Sequence, residues 1–183
     1  MYVLHYKYYG GHMQYTVLIP GGFKPPHKGH YDYIKFYLDN PDVERVIMFC
    51  GDKERDGITL EHTEKILEIY GLMSHPKLDY RRATVREGKK KNYTNPLADC
   101  FDWGDESEGI RFGLACSEKD AGYQVSFGDY FYGNDNYVYA PIFKMADDLS
   151  STDFRAALRN GESIVNFLPD GVSEEQVVQL FKT

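Results

Sequence analysis

Tyr15-Thr-Val-Leu-Ile-Pro20-Gly-Gly-Phe-Lys-Pro25-Pro-His-Lys-Gly-His30 is the stretch that decides the fold. Tyr15 to Ile19 is a short β-branched, apolar run that reads as a buried strand, and Pro20-Gly21-Gly22 ends it in a turn. From Gly29 to Asp39 the apolar residues Tyr31, Ile34, Tyr37 and Leu38 recur at helical spacing, and Asn40-Pro41 stops that helix. Strand, glycine-rich turn and helix thus follow one another directly. Gly21 and Gly22 let the backbone approach a ligand with no Cβ in the way. The helix start behind them offers unpaired N–H groups and the positive end of a dipole. Lys24 and Lys28 add charge, and His27 and His30 share one face of the first turn. The segment reads as a polyanion site with two imidazoles aimed at one point, suited to stabilising charge that develops on a phosphate. It matches neither G-x-x-x-x-G-K-[ST] nor G-x-G-x-x-G.

Outward from this stretch, strands and helices alternate. Val43 to Cys50 reads as a second strand. Thr59 can cap a helix whose apolar face is Thr63, Ile66, Leu67 and Tyr70. Leu78 to Val85 reads as a third strand. Arg86 to Lys91 follows as a basic loop, solvated in the simplest reading and a lid over a triphosphate in the alternative. Asn95-Pro96 are N-cap and first residue of a short helix with Leu97, Cys100 and Phe101 inward, ended by Gly104. Ile110 to Cys116 reads as a fourth strand, and Tyr123 to Phe127 and Tyr137 to Phe143 as two more. Ser150 with Asp153 and Ser173 with Gln176 have capping-box spacing. The first predicts a helix to about Asn160-Gly161, the second a helix to the C-terminus. This order predicts an α/β fold: a Rossmann-like parallel sheet with helices on both faces, C-terminal helices and right-handed crossovers. A ligand is expected beyond the C-terminal strand ends, near the switch point.

Composition sets the bounds. The 183 residues suit about one domain. At 42% hydrophobic, 27% charged and 15% aromatic, collagen-like, low-complexity and disordered classes are excluded. No apolar run approaches the roughly 18 residues of a membrane span. With 21 basic and 28 acidic residues the net charge is −7, which argues against nonspecific binding to nucleic acid or anionic membrane. Cys50, Cys100 and Cys116 form no CxxC, which points to a reducing, cytoplasmic compartment rather than a disulfide framework. Residues 1–12 (MYVLHYKYYGGH) lack the apolar core of a signal peptide. Gly11-His12-Met13 resembles a cloning scar, so the native chain is expected to start at Met13. A short Tyr-rich edge strand is the alternative.

Two motifs carry a resemblance. His27-Lys28-Gly29-His30, after a strand and a Gly-Phe turn, resembles the H-x-G-H signature of the nucleotidylyltransferase superfamily. Ser150-Ser151-Thr152-Asp153-Phe154-Arg155 resembles its second signature, I-S-S-T-x-I-R, with Leu149 in the Ile place. They stand in the right order and each opens a predicted helix. The likeness covers roughly Met13 to Gly161, and residues 13–183 are expected to form one nucleotidylyltransferase domain. The loop Asp52 to Thr59 also looks like the small members encoded by large bacteriophages. The resemblance implies transfer of a nucleotidyl group from ATP or CTP, with Mg²⁺, onto a phosphate of an acceptor, releasing pyrophosphate without a covalent enzyme intermediate. It implies that His27 and His30 contact the nucleotide phosphates. Ser151 and Thr152 would hold the β- and γ-phosphates at a helix N-terminus opened by Ser150, and Arg155 would neutralise them. Gly21, Gly22, Phe23, Lys24, Lys28 and Ser117 complete the expected nucleotide-binding set, with His27, His30 and Arg155 as the catalytic residues. No protein metal ligands are implied, the Mg²⁺ being carried by the phosphates. Relatives are often homo-oligomers. Two departures stand out: Lys24 lies where many members have an acidic residue or Gln, and Cys116 to Asp120 replaces a G-x-D pattern.

The Ser-Ser-Thr-x-x-Arg form, without an R-T-E-G lead-in, resembles the ATP-using branch. An intact His27 tilts towards nicotinamide-nucleotide-type adenylyltransferases, so the expected acceptor is nicotinamide mononucleotide. Asn92-Tyr93-Thr94 faintly resembles a Ser-Tyr-Thr element of bacterial enzymes of that type. Alternatives are a CTP-dependent cytidylyltransferase acting on a small phosphate ester and a nucleotide-binding sensor without catalysis. The bland alternatives for His27 and His30 are a two-histidine metal site or capping residues; a metal site would need further carboxylate or His ligands, and His62 and His75 fit no such pattern. Trp103 reads as a packing residue, with stacking on a substrate ring as the alternative. Arg155 could instead serve only as the partner of a carboxylate such as Asp148 or Glu162.

Overall fold

Four parallel strands form the sheet of the computed structural model, which describes residues 13–182. The expectation for residues 1–12 lies outside the described residues. β1 (Tyr15–Gly21) is flanked by β2 (Val43–Cys50) on one side and by β6 (Phe112–Leu114) on the other, with β3 (Leu78–Arg82) beyond β2. Val17 aligns with Val46, and Leu18 with both Ile47 and Leu114. The chain crosses from the β3 side to the β6 side of β1, which puts the switch point between β1 and β6.

Successive strand residues face opposite ways, so both faces of β1 and β2 must be covered. Val17, Ile19, Val46, Met48 and Cys50 pack beneath α1 (Lys28–Leu38), α2 (Leu60–Ile69) and α5 (Ser151–Asn160). Leu18, Ile47, Phe49 and Leu114 face α3 (Pro96–Glu106) and α4 (Ala121–Tyr130) through Cys100, Phe127 and Phe131. The fold is therefore Rossmann-like α/β with helices on both faces. α6 (Glu174–Gln179) adds Val177 to the first of these cores.

Most elements start where the caps predict. Thr59 accepts from His62 N, Asn95 from Ala98 N, Ser150 from Asp153 N and Ser173 from Gln176 N. Gly161 ends α5 at φ +67°, where glycine is free of Cβ strain.

Several boundaries differ from the sequence reading. The third strand stops at Arg82. Val85–Arg86 (β4) then pairs antiparallel with Tyr93–Thr94 (β5), so the basic loop is the tip of a small hairpin. Arg86 is clasped by Asp99 and Asp102 of α3 rather than solvated. Tyr123 to Phe127 lies in helix α4, not in a strand. Tyr137 to Phe143 runs beside β6 and the segment after it but pairs with them only at isolated bridges, Phe112 with Tyr137 and Ser117 with Phe143. Pro141 within it has no N–H to give a ladder. The last helix is one short piece, ending at Gln179. Trp103 meets Phe112 edge to face at 5.9 Å, in the role of a packing residue. Cys50, Cys100 and Cys116 are buried free thiols. No helix among the described residues is long and apolar enough to cross a membrane.

Candidate active site

Beyond the C-terminal ends of β1 and β6 lie two adjoining hollows of about 670 and 320 Å³. They share Gly21, Gly22, Phe23, His30, Asp120 and Ser151. The smaller is closed by His27, Ser117, Lys119, Met145, Leu149 and Ser150. The larger extends past Gly51, Lys53 and Arg55 to Asn95 and Tyr123, and Arg155 stands on its wall.

Residues 22–26 cross the floor as irregular backbone, and irregular backbone must find hydrogen-bond partners outside regular structure. Side chains supply them for each carbonyl. Lys24 Nζ donates to Gly22 O at 2.6 Å, and Thr63 Oγ1 to Phe23 O at 2.6 Å. Arg155 Nη1 donates to Lys24 O at 2.8 Å, Ser151 Oγ to Pro25 O at 3.0 Å and Tyr70 Oη to Pro26 O at 2.8 Å. Two of these donors belong to the second motif, so the two motifs are physically joined through this loop. Phe23 adopts φ +50°, rare for a bulky residue and typical of sites held by their surroundings. Its ring lies over Gly21, where a Cβ would come within 2.5 Å of it.

His27 and His30 cap α1 reciprocally. His27 Nδ1 accepts from His30 N at 3.3 Å, and His30 Nδ1 accepts from His27 N at 3.2 Å. An Nδ1 that accepts leaves a neutral ring's proton on Nε2. Both rings therefore carry an Nε2–H donor, and they stack at 3.8 Å with an 18° tilt. Phe23 packs edge-on to His30 at 5.0 Å. Gly29 is required by this packing, because a Cβ there would lie 2.8 Å from both His27 Cε1 and Met145 Cε. Burial, helped by the charge of Lys119, pushes the His27 imidazolium down to about 4. Burial, then the neighbouring His27, lowers His30 well below its usual range. Both rings are neutral at pH 7 and offer hydrogen bonds rather than full charges.

At α5, Ser150 caps Asp153 N at 3.0 Å, and the amides of Ser151 and Thr152 fall in the first turn, which has no intrahelical acceptors. The Arg155 guanidinium donates from Nε to Asp56 at 2.8 Å and from Nη2 to Thr152 Oγ1 at 3.3 Å. Its carboxylate partner is Asp56, while Asp148 pairs with Lys119. Lys24 is only 4% exposed, with a second bond from Nζ to Gly51 O at 2.7 Å. Desolvation by burial lowers its pKa. Lys28 turns away towards Asp170, and neither it nor the exposed Thr152 lines either hollow.

The structure thus gathers Gly21, Gly22, Phe23, Lys24, His27, His30, Ser117, Ser150, Ser151 and Arg155 around one two-lobed cavity. Sequence reasoning gave no site role to Tyr33, Lys53, Arg55, Asp120 and Tyr123, while Thr94 entered only through the Asn92-Tyr93-Thr94 resemblance. The loop after the second strand, with Lys53 and Arg55, carried a signal of its own, since strand C-termini face the ligand in such folds. Among the described residues no group of three or more His, Cys, Asp or Glu side chains gathers to hold a metal ion.

This is an open α/β, Rossmann-like architecture, and solved structures of adenylyltransferases share it. A bifunctional NMN adenylyltransferase/ADP-ribose pyrophosphatase from Francisella tularensis, complexed with AMP and a manganese ion, superposes with a TM-score of 0.61 at 14% identity. The match covers 93% of this chain and 50% of that one, so this chain spans half the length of that enzyme. A candidate nicotinate-nucleotide adenylyltransferase from Vibrio parahaemolyticus superposes with a TM-score of 0.57 at 14% identity, over 90% of this chain and 99% of its own. No family model and no curated protein matches the sequence.

Proposed function

We propose that this chain is a nucleotidylyltransferase that transfers AMP from Mg²⁺-bound ATP to a phosphate-bearing acceptor, nicotinamide mononucleotide being the best fit, with release of pyrophosphate. One observation carries the reading: His27 and His30, each with its proton left on Nε2, and Ser150 and Ser151 at the start of α5 line the same hollow. In this reading the smaller hollow takes the nucleotide, beside Ser117 and Ser150, with its β- and γ-phosphates reaching the adjoining wall where Arg155 stands. The rest of the larger takes the acceptor, whose negative charge suits Lys53 and Arg55. An acceptor phosphate oxygen attacks the α-phosphorus, and the bond from that phosphorus to the β-phosphate bridging oxygen breaks. The leaving pyrophosphate carries the bond's electron pair away. His27 and His30 donate to the phosphate oxygens as charge builds on them, while Ser151, Thr152 and Arg155 hold the leaving group. No side chain need accept a proton, so catalysis rests on positioning and preorganised donors. The Mg²⁺ arrives on the triphosphate as part of the substrate.

The kinship in fold with NMN and nicotinate-nucleotide adenylyltransferases supports this acceptor class. The test is a pyrophosphate-release screen with Mg²⁺ and either ATP or CTP. Acceptors would be nicotinamide and nicotinate mononucleotides, phosphopantetheine, flavin mononucleotide and polyol phosphates. Turnover with ATP and a pyridine mononucleotide is expected. Turnover with CTP alone would overturn the base, and tight ATP binding with no turnover on any acceptor would favour a sensor.

A further inference from the structure

Residues 51–58 form a strap between the end of β2 and the start of α2, and Lys53 and Arg55 on it line the larger hollow. The strap has two anchors that do not involve Arg155. Near its start, Gly51 N donates to Gly21 O at 2.9 Å, and Asp52 exchanges bonds with Thr94 Oγ1 at 2.8 and 3.1 Å. At its end Ile58 is buried, and Arg55 and Ile58 exchange backbone bonds at 3.1 and 2.8 Å around a tight turn. Asp56 and Gly57 form that turn with φ of +49° and +80°, the geometry favoured by Asp-Gly in primed turns. The shape of the strap is therefore secured without the Asp56 carboxylate, whose hydrogen-bond partner is the Nε of Arg155. Arg155 is only 15% exposed, while Asp56 is 52% exposed.

We propose, resting on the nucleotidyl-transfer reading, that Asp56 is an internal competitor for the polyphosphate: its carboxylate occupies Arg155 in the free protein and is displaced when phosphate arrives. Arg155 sits where a triphosphate held at the α5 N-terminus would reach it, yet its Nε is already spent on a carboxylate. An ion pair with one partner half in water is weak and costs little to break. A polyphosphate brings more negative charge and more acceptor oxygens than one carboxylate, so it wins the fork. The released Asp56 returns to water, and the strap carrying Lys53 and Arg55 loses its tie to α5. Asp56 is thus a positioning residue that sets polyphosphate affinity and couples it to the acceptor side of the cavity.

The experiment is calorimetric titration of inorganic tripolyphosphate, Mg²⁺-ATP and adenosine into wild type, Asp56→Asn, Arg155→Ala and the double variant. Asn keeps the size of Asp and tolerates positive φ, so Asp56→Asn leaves the turn intact. Asp56→Asn should bind tripolyphosphate and ATP about fivefold tighter than wild type. Adenosine binding should not change, and the gain should vanish in the Arg155→Ala background. Equal or weaker tripolyphosphate binding by Asp56→Asn, with wild type binding measurably, overturns the competitor role and leaves the functional reading standing. A gain that persists without Arg155 also overturns it, because it would then be general charge removal. If no variant binds tripolyphosphate or ATP, the functional reading and the competitor role fall together.

Discussion

Two helix starts face the same cavity, and they are built by opposite means. At α1 the first turn is part of the core: His27 is 3% exposed, and Phe23 and Lys24 are buried. The capping groups are the imidazoles themselves, and glycines at 21 and 29 exist to make room for aromatic rings. At α5 the cap is a serine, Thr152 and Asp153 face solvent, and Arg155 is held by hydrogen bonds to its surroundings. On the proposed reading, the imidazoles of α1 that would meet the ligand also complete the helix, so function and stability are coupled there. In α5 the capping serine and the amides the reading gives to phosphate are different groups, so the two are separable.

The largest effect should follow His30→Ala. Loss of one preorganised donor lowers turnover by roughly 10²–10³-fold. Because His30 Nδ1 also caps the His27 amide, the variant should lose about 1 kcal/mol of stability as well. Pyrophosphate release and a melting curve measured on the same sample check both. Loss of turnover with an unchanged melting temperature would show that the two roles are separable at α1 after all.

Next comes pH, which should act on α1 through His27. Unfolded, that imidazole takes a proton near 6.5; folded, only near 4. Between those values the unfolded chain binds more protons, so the contribution of His27 is full above 6.5 and is lost as pH falls through 4. The size is about 3 kcal/mol. Asn caps well and does not titrate here, so His27→Asn should flatten the fall in melting temperature across that window. Ser150 has no group that titrates in this range, and Ser150→Asn should leave the slope as in wild type. Parallel curves for wild type and His27→Asn would remove His27 from the acid response.

How much of this was legible in the sequence depends on whether the deciding forces are local. From Tyr15 to Tyr70 the strands are mostly apolar and the caps are adjacent in sequence, and the elements fall within a residue or two of the reading. Tyr123 to Phe127 alternates aromatic and branched residues with polar ones, which imitates a strand. The helical stripe is Gln124, Phe127, Gly128 and Phe131, and its first member is polar. Gln124 is buried because its amide donates to Ala140 O at 2.8 Å, a partner supplied by the tertiary fold. The motif residues were legible for the same local reason. That His27 and His30 could be capping residues was one of the alternatives the sequence offered, and in the structure they cap each other. The tie between Arg155 and Asp56 joins α5 to a distant loop and left no sequence trace.

A smaller effect separates two neighbouring glycines of the first loop. Gly21→Ala drives a Cβ into the Phe23 ring and should cost about 1–3 kcal/mol, as overpacking does. A Cβ on Gly22 meets no protein atom within 4 Å and stands at the mouth of both hollows. Gly22→Ala should therefore melt like wild type and bind nucleotide more weakly. Matching melting temperatures for the two variants would mean that the Phe23 ring yields freely and that the α1 site is softer than its packing implies.

The smallest effect belongs to the α5 cap. Ser150 Oγ satisfies the amide of Asp153, and Ser150→Ala should cost about 1 kcal/mol of stability. The amides of Ser151 and Thr152, which the functional reading gives to phosphate, are untouched by this change. A bound polyphosphate would itself supply acceptors and negative charge at the helix start, which is what the cap supplies in its absence. Saturating tripolyphosphate should therefore narrow the gap in melting temperature between wild type and Ser150→Ala. At α1 no such rescue is expected, because the His27 and His30 caps turn their Nδ1 atoms inward and only Nε2 is left for a ligand. If tripolyphosphate stabilises both proteins equally, the anion does not sit on the first turn of α5. The division of labour between the two helix starts then fails at its weaker member.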